Sequence, residues 1–438
     1  MGGSPDKAGR HNHGHGSDHG RESHPTIGRF AAPSEPIQSR KAARVAAAHD
    51  GYVYVDDGTR GETVELIRST FGRSDPRWLA WYDQADSSDF RAWRYDGMLV
   101  AALRHDRLAL WLGDRPVPSA QVMSVSVPPI HSGRGYGSAL LRELLAELRD
   151  AGHATAGLYP TTAALYRKLG FEFAGAHSTY RVTPTHLPRG LGARRGRVLT
   201  ANDLAPVRAL YQQLAPGRNG ALDRSERWWR RHLEPPTGIP SAAYGIFDGN
   251  EIVGWSIVQF TLTEVPYATL KVLDWGCRPG FEQALLGLWG GWSSITSAVS
   301  WVGPQPDLLH WVLGEQHTKL EEDKEWMLRV IDMPAAFTAR GWPGAVNGTV
   351  NFNLVDEVAP WNTGAWTVTF TDGRAIVTPS VTTSSALVTP RALGPLLTGH
   401  VDPAALASLG LISGFTSSEI ELLRLAHAGP RPWAADYY

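Results

Sequence analysis

Gln121-Val122-Met123-Ser124-Val125-Ser126-Val127-Pro128-Pro129-Ile130-His131-Ser132-Gly133-Arg134-Gly135-Tyr136-Gly137 is the stretch on which the reading of this chain turns. Met123, Val125 and Val127 alternate with Ser124 and Ser126, which is the period of a strand. Pro128-Pro129 ends it, because proline brings no N–H to a ladder. Residues 138–151 then place Leu140, Leu141, Leu144, Leu145 and Leu148 at helical spacing, and Gly152 marks the stop. Between strand and helix, glycines 133, 135 and 137 let the backbone approach a ligand closely. The N–H groups of the new helix start face outward without partners, which makes an anion site. Taken alone, such a turn fits a dinucleotide fold or a plain strand-to-helix connection. No Asp or Glu stands where a βαβ unit would hold a ribose, so a nicotinamide site is excluded.

Working outward, three folded blocks follow a polar leader. Residues 1–44 hold Gly, Ser, Pro, Asp and His without apolar periodicity and are expected to be a disordered tail. Its histidines, His11, His13, His15, His19 and His24, suit weak metal capture or simple solvation. Block one, 45–186, reads as a strand at 52–55, a helix at 61–71, and a hairpin around Asp96-Gly97. Further strands are expected at 108–112, 121–127 and 154–158, and a short helix at 162–169. A Pro/Gly/Arg-rich linker at 184–197 opens block two, 187–325, which repeats the order helix, hairpin, strand, helix. Block three, 326–438, is strand-like at first and ends in two helical stretches at 391–398 and 403–409.

Composition removes whole classes. At roughly 150 residues per domain, 438 residues predict about three domains. A hydrophobic share of 42% supports sizeable cores. Lys+Arg 42 against Asp+Glu 43 leaves no basic excess for nucleic acid or an anionic membrane. The single cysteine, Cys277, excludes an internal disulfide and any paired-cysteine zinc site, and no metal is expected. No run approaches the ~18 apolar residues of a membrane span, and no secretory segment follows Met1, so a soluble cytoplasmic protein is expected.

The glycine turn is followed about 30 residues on by Ala164-Leu165-Tyr166-Arg167-Lys168-Leu169-Gly170-Phe171. The pair resembles the pyrophosphate loop and the YxxxGF segment of GNAT acyl-CoA N-acyltransferases. The rest narrows the likeness: Gly220-Ala221-Leu222-Asp223-Arg224 with Trp228-Trp229, the 301–313 segment, Trp326-Met327-Leu328-Arg329-Val330-Ile331-Asp332-Met333-Pro334-Ala335-Ala336, and Pro432-Trp433-Ala434-Ala435-Asp436-Tyr437-Tyr438. Over about 50–438 the chain resembles the Eis family. That resemblance implies an α/β (α+β) architecture, two fused GNAT-like modules followed by a sterol-carrier-protein-like domain. It further implies one active module, a hexamer, and acetyl transfer from acetyl-CoA to an aminoglycoside or similar polyamine without a covalent enzyme intermediate. A tailoring N-acyltransferase of the same fold and a non-catalytic lipid carrier are the competing readings; a carrier needs neither the glycine loop nor Tyr166.

The resemblance also distributes roles. Val125 and Val127 would offer main chain to the pantetheine arm, besides packing in the core. Gly133, Arg134, Gly135 and Gly137 would hold pyrophosphate through N–H groups and one guanidinium. Ser132 and Ser124 are departures: many members carry arginine at the first and a pocket-lining aromatic at the second. Tyr166 would protonate the departing thiolate, a phenol of ordinary pKa ~10 serving a thiol of ~8.5. Thr161 would cap the following helix or touch the cofactor. The base would be the main-chain carboxylate of Tyr438, with the acidic–aromatic end inserted into module one. Asp436, Asp75 and Trp78 (with Trp81 and Asp83) would meet a cationic acceptor through charge and cation–π contact.

Overall fold

The computed structural model describes residues 50–190, 195–233, 241–264, 267–314 and 316–438. The expected tail at 1–44 lies outside them. Block one supplies β1 (Gly51–Tyr54), α1 (Asp57–Phe71), α2 (Pro76–Asp83), β2 (Phe90–Tyr95), β3 (Met98–Leu112), β4 (Arg115–Ser126), α3 (Tyr136–Asp150), β5 (Thr155–Leu158), α4 (Ala163–Arg167) and β6 (Glu172–Val182). Block two supplies β7 (Gly196–Val198), α5 (Leu204–Leu214), α6 (Glu226–Leu233), β8 (Ser241–Asp248), β9 (Glu251–Glu264), β10 (Tyr267–Cys277), α7 (Glu282–Gly290), β11 (Thr296–Gly303), α8 (Leu308–Leu313) and β12 (Lys319–Val330).

Local signals account for much of this. Asp96 and Gly97 both take positive φ, 50° and 74°, the geometry that matches hairpin twist and joins β2 to β3. The five α3 leucines are each no more than 1% exposed and pack on β3, β4 and β5. Their burial stabilises by roughly 1.5–3 kcal/mol apiece. Gly152 takes φ +83° just past the helix, as its position requires. Two elements differ from expectation. β3 is one 15-residue strand rather than two, because its central charges are compensated inside the fold. Arg104 pairs with Asp106 at 3.2 Å, and Asp106 also accepts from Arg227 at 2.6 Å and Trp228 Nε1 at 2.9 Å. Helix α2, for which no element is expected above, carries Asp75 as N-cap and Pro76 in its first turn, a legible start signal.

The twelve strands form one sheet, ordered β1-β2-β3-β4-β5-β12-β6-β11-β10-β9-β8-β7. Each block lends its closing strand to the other. β12, from block two, pairs with β5 and β6; β6, from block one, pairs with β12 and β11. The boundary expected at 325/326 therefore falls inside a single strand. Its ladder to β6 runs from Lys319 to Leu328, and a domain border cannot sit in a continuous ladder.

The third unit begins after β12 with α9 (Met333–Ala339). A second sheet follows, β15-β14-β13-β16-β17, built from β13 (Gly348–Leu354), β14 (Gly364–Thr371), β15 (Arg374–Pro379), β16 (Leu387–Val388) and β17 (Ile412–Ser413). Helices α10 (Pro390–Thr398), α11 (Pro403–Ser408) and α12 (Ser417–Ala426) complete it. Phe337, Phe352, Phe370 and Leu396 fill its interior around a void of only ≈ 10 Å³. The chain then returns to the large sheet: Ala176 donates to Pro432 at 3.0 Å, and Ala434 to Ala176 at 3.0 Å.

Candidate active site

The parallel ladder of β4 with β5 has rungs from Ser119↔Thr155 to Gln121↔Gly157, yet β4 continues to Ser126. The two strands part there. On its other side β4 skips register, from Arg104↔Met123 to Ala102↔Ser126, and Ser124 sits at φ 52°. This is a β-bulge, which re-aims side chains and frees main-chain groups from the ladder. Ser124 and Val125 line a cleft of ≈ 860 Å³. Val127 instead lies under the start of α3, where a Cβ on Gly137 would come within 3.2 Å of its Cγ2.

The glycine turn opens outward. After a tight turn at Pro129–His131, Gly133 and Gly135 take φ +76° and +86°. Gly135 is the N-cap of α3 and brings no side chain to it, leaving the first-turn N–H groups available. Ser132, Gly133, Arg134 and Gly135 are exposed, and nothing lies within 4 Å of a Cβ built at either 133 or 135.

Tyr166, on α4, is 5% exposed, lines the same cleft and meets Phe171 edge-on at 5.9 Å. Burial pushes its phenol up to about 12. Thr161 lines the cleft, but the N-cap of α4 is Thr162, which makes no side-chain cap bond, so the capping reading of Thr161 is corrected. A cap needs the residue directly before the first helical turn.

The acidic–aromatic end enters this cleft, and both Tyr437 and Tyr438 line it. The Tyr438 hydroxyl donates to Gln121 Oε1, and its ring meets Tyr159 at 5.1 Å and Trp228 at 5.9 Å. Gly157 makes room: a Cβ there would lie 3.1 Å from the Tyr438 hydroxyl. The tail is tied by three groups that sequence reasoning missed. Tyr159 donates to the Asp436 carbonyl at 2.8 Å, His177 Nδ1 to that of Ala434 at 2.9 Å, and Arg231 to that of Tyr437 at 2.7 Å. Desolvation lowers the His177 imidazole, so it is the neutral ring that holds the carbonyl. No local pattern marks these residues, since their partners lie in a distant segment.

Asp436 is neither solvated nor turned to the acceptor. It is 2% exposed and pairs with Arg224 at 3.0 Å. Arg224 also holds Asp274 with two 2.8 Å hydrogen bonds. On the acceptor side, Asp75 lines the cleft but spends its carboxylate on α2, accepting from Arg77 N at 2.7 Å and Trp78 N at 3.2 Å. Trp78 lines the cleft and stacks on Tyr82 at 3.9 Å. Trp81 lines it as well.

Residues 53–174 match an acetyltransferase (GNAT) domain, residues 220–330 match a second such domain, and residues 333–435 match a sterol carrier protein domain. An uncharacterized N-acetyltransferase of Streptomyces avermitilis is 26% identical over 355 residues, 75% of this chain and 82% of its own. The N-acetyltransferase Eis of Mycobacterium tuberculosis is 24% identical over 333 residues, 73% of this chain and 80% of its own. The chain is an acetyltransferase similar to the Eis N-acetyltransferases. A crystal structure titled as a GCN5-related N-acetyltransferase from Kribbella flavida superposes on this Eis-like enzyme with a TM-score of 0.80 at 27% identity, covering 90% of this chain and 100% of that one. The Eis-like enzyme is an acetyltransferase of two GNAT domains and a sterol-carrier-like domain, the latter starting after β12. Among the described residues, no group of three or more His, Cys, Asp or Glu is placed to hold a metal ion. No helix of the described residues is long and apolar enough to cross a membrane.

Proposed function

We propose that block one transfers acetyl from acetyl-CoA directly to a primary amine bound in the cleft. The observation that carries this is convergence: the bulged edge of β4, Tyr166 and Tyr438 all line one cavity. The open glycine turn suits the pyrophosphate, with Arg134 beside it, and the parted strands β4 and β5 leave main chain for the pantetheine arm. The residues Val125, Val127, Ser132, Gly133, Arg134, Gly135 and Gly137 form this acyl-CoA side in our reading, and Ser124 lines the acceptor side of the cleft.

The proton balance is simple. The amine nitrogen attacks the thioester carbon, the C–S bond breaks, and Tyr166 gives its phenol proton to the departing thiolate. Burial makes that phenol a weaker acid than a free one. The same desolvation raises the proton affinity of the thiolate, which narrows the mismatch. The ammonium proton goes to the main-chain carboxylate of Tyr438, which desolvation in a closed cleft would make more basic. Cys277 lies on β10, and burial pushes its thiol up to about 12, which suits a packed side chain rather than a nucleophile.

Two finer expectations fare differently. A carrier role would need a hollow third unit, and the cavity among Phe337, Phe352, Phe370 and Leu396 is only ≈ 10 Å³. The polyamine reading keeps the ring faces of Trp78 and Tyr82, but Asp75 and Asp436 are both engaged within the protein. The test of the function is release of CoA thiol from acetyl-CoA over a panel of amines; no release with any amine would refute it.

The cofactor side yields its own prediction. Gly135→Glu puts a carboxylate where the pyrophosphate would sit, at a φ of +86° that strains an L residue by roughly 1–2 kcal/mol. The side chain enters open space, so the fold should persist. Calorimetry is expected to show acetyl-CoA affinity reduced by about 10²-fold or more; an unchanged affinity would displace the site from this turn.

A further inference from the structure

The charges of the acceptor side do not suit a bare polycation. Each side-chain carboxylate lining the cleft is already occupied. Asp75 caps α2, Glu321 accepts from Arg181 at 3.0 Å, and Glu322 pairs with Lys324 at 2.7 Å. Apart from Arg181, the cations lining it are not matched in return. Arg77 Nε and Nη2 and Arg231 Nη1 are shut off from water and make no hydrogen bond. Arg73 and Lys271 also line the cleft and have no carboxylate partner among the described residues.

A guanidinium N–H shut off from water without an acceptor is costly to the fold. It persists where a ligand completes it. Arg231 is positioned for that role: its Nη2 is anchored on the Tyr437 carbonyl, and its plane lies over Trp81 and Trp228, at 5.0 and 5.1 Å. Burial first, then repulsion from Arg104 and Arg77, holds its pKa down at about 10 against the pull of Asp436 and Asp106. Arg77, on α2, faces the same cavity, and its burial likewise opposes the charged form. Planar forks of this kind match carboxylate and phosphate oxygens.

We infer that the acceptor carries an oxyanion, carboxylate or phosphate, beside its amine, and that Arg77 and Arg231 bind it. The inference rests on the acetyl-transfer reading above and names the substrate class of that same cleft: amino carboxylates or amino phosphates. The oxyanion orients the acceptor, and its amine is thereby carried toward Tyr438 and Tyr166.

The test compares matched pairs in the CoA-release assay with the whole enzyme: lysine with 1,5-diaminopentane, tyrosine with tyramine, O-phosphoethanolamine with ethanolamine, and kanamycin as a polycation. The expected result is a kcat/KM about tenfold or more higher for the oxyanion member of at least one pair. The pair that shows it tells carboxylate from phosphate. Arg77→Gln and Arg231→Gln should each shrink that ratio severalfold; Arg231→Lys, which keeps the charge and loses the fork, serves where the glutamine variant fails to fold. Equal or faster turnover of the members without an oxyanion, and of kanamycin, would overturn this inference while leaving acetyl transfer intact. A preference that survives in both variants would overturn the assignment to these arginines. No CoA release with any amine would overturn the functional reading itself, and this inference with it.

Discussion

Tyr166→Phe is expected to lower kcat by about 10²-fold or more while acetyl-CoA affinity stays nearly unchanged. The substitution keeps the ring that packs against Phe171 and removes only the phenol proton. Without it, the thiolate leaves unprotonated into a desolvated cleft. The pH profile separates this role from packing. The phenol is pushed up to about 12 by burial, so it is protonated at every pH where the protein is handled. The wild-type rate should therefore show no alkaline loss near 10 from Tyr166, and the Phe variant should be slow at all pH values rather than at one limb. Wild-type turnover in Tyr166→Phe would remove the tyrosine from the chemistry.

Removal of Asp436, Tyr437 and Tyr438 should be nearly as severe, about 10²-fold in kcat/KM. The anchors before them remain, since Trp433 and Ala434 keep their main-chain bonds to Asn219 and Ala176. The cleft, however, loses two of its walls and the proposed base. The deletion also strands Arg224 with one carboxylate fewer, so some thermal destabilisation should accompany the loss. The reverse substitution, Arg224→Ala, leaves Asp274 and Asp436 buried without their common cation and should destabilise by about 3–5 kcal/mol, read by denaturant titration. Two further variants divide the roles of the tail. Tyr438→Phe keeps the ring and forfeits one hydrogen bond to Gln121, so activity should stay within about tenfold. Residues appended after Tyr438 keep the ring and abolish the carboxylate. Full activity in a folded extended form would exclude that carboxylate as base.

Much of the proposed acyl-CoA side was legible from local pattern. The alternation at 121–127, the glycines at 133–137 and the leucine stripe of α3 are all short-range relations, set by strand and helix periods. The Asp96-Gly97 hairpin is of the same kind, and so is the Asp75-Pro76 start of α2, whose signal was present and passed over. Tyr166 stands out in the sequence because its segment resembles a motif, not because its burial can be read.

What the amino-acid order determined by itself, then, is most of the elements of block one and the candidate chemistry of one strand–turn–helix unit. The tertiary structure alone decided which charges are spoken for. Asp436 looks like an exposed acid near a chain end, yet it lies inside the protein against Arg224, 212 residues away. Arg104 and Asp106 look like a break between strands, yet mutual pairing and Arg227 allow β3 to run through them. β12 looks like the start of a third block, yet it closes the sheet of the first. The reason is common to all three. A charge or an edge strand can be buried only against its partner, and that partner is supplied by a segment far along the chain, where no local period reaches.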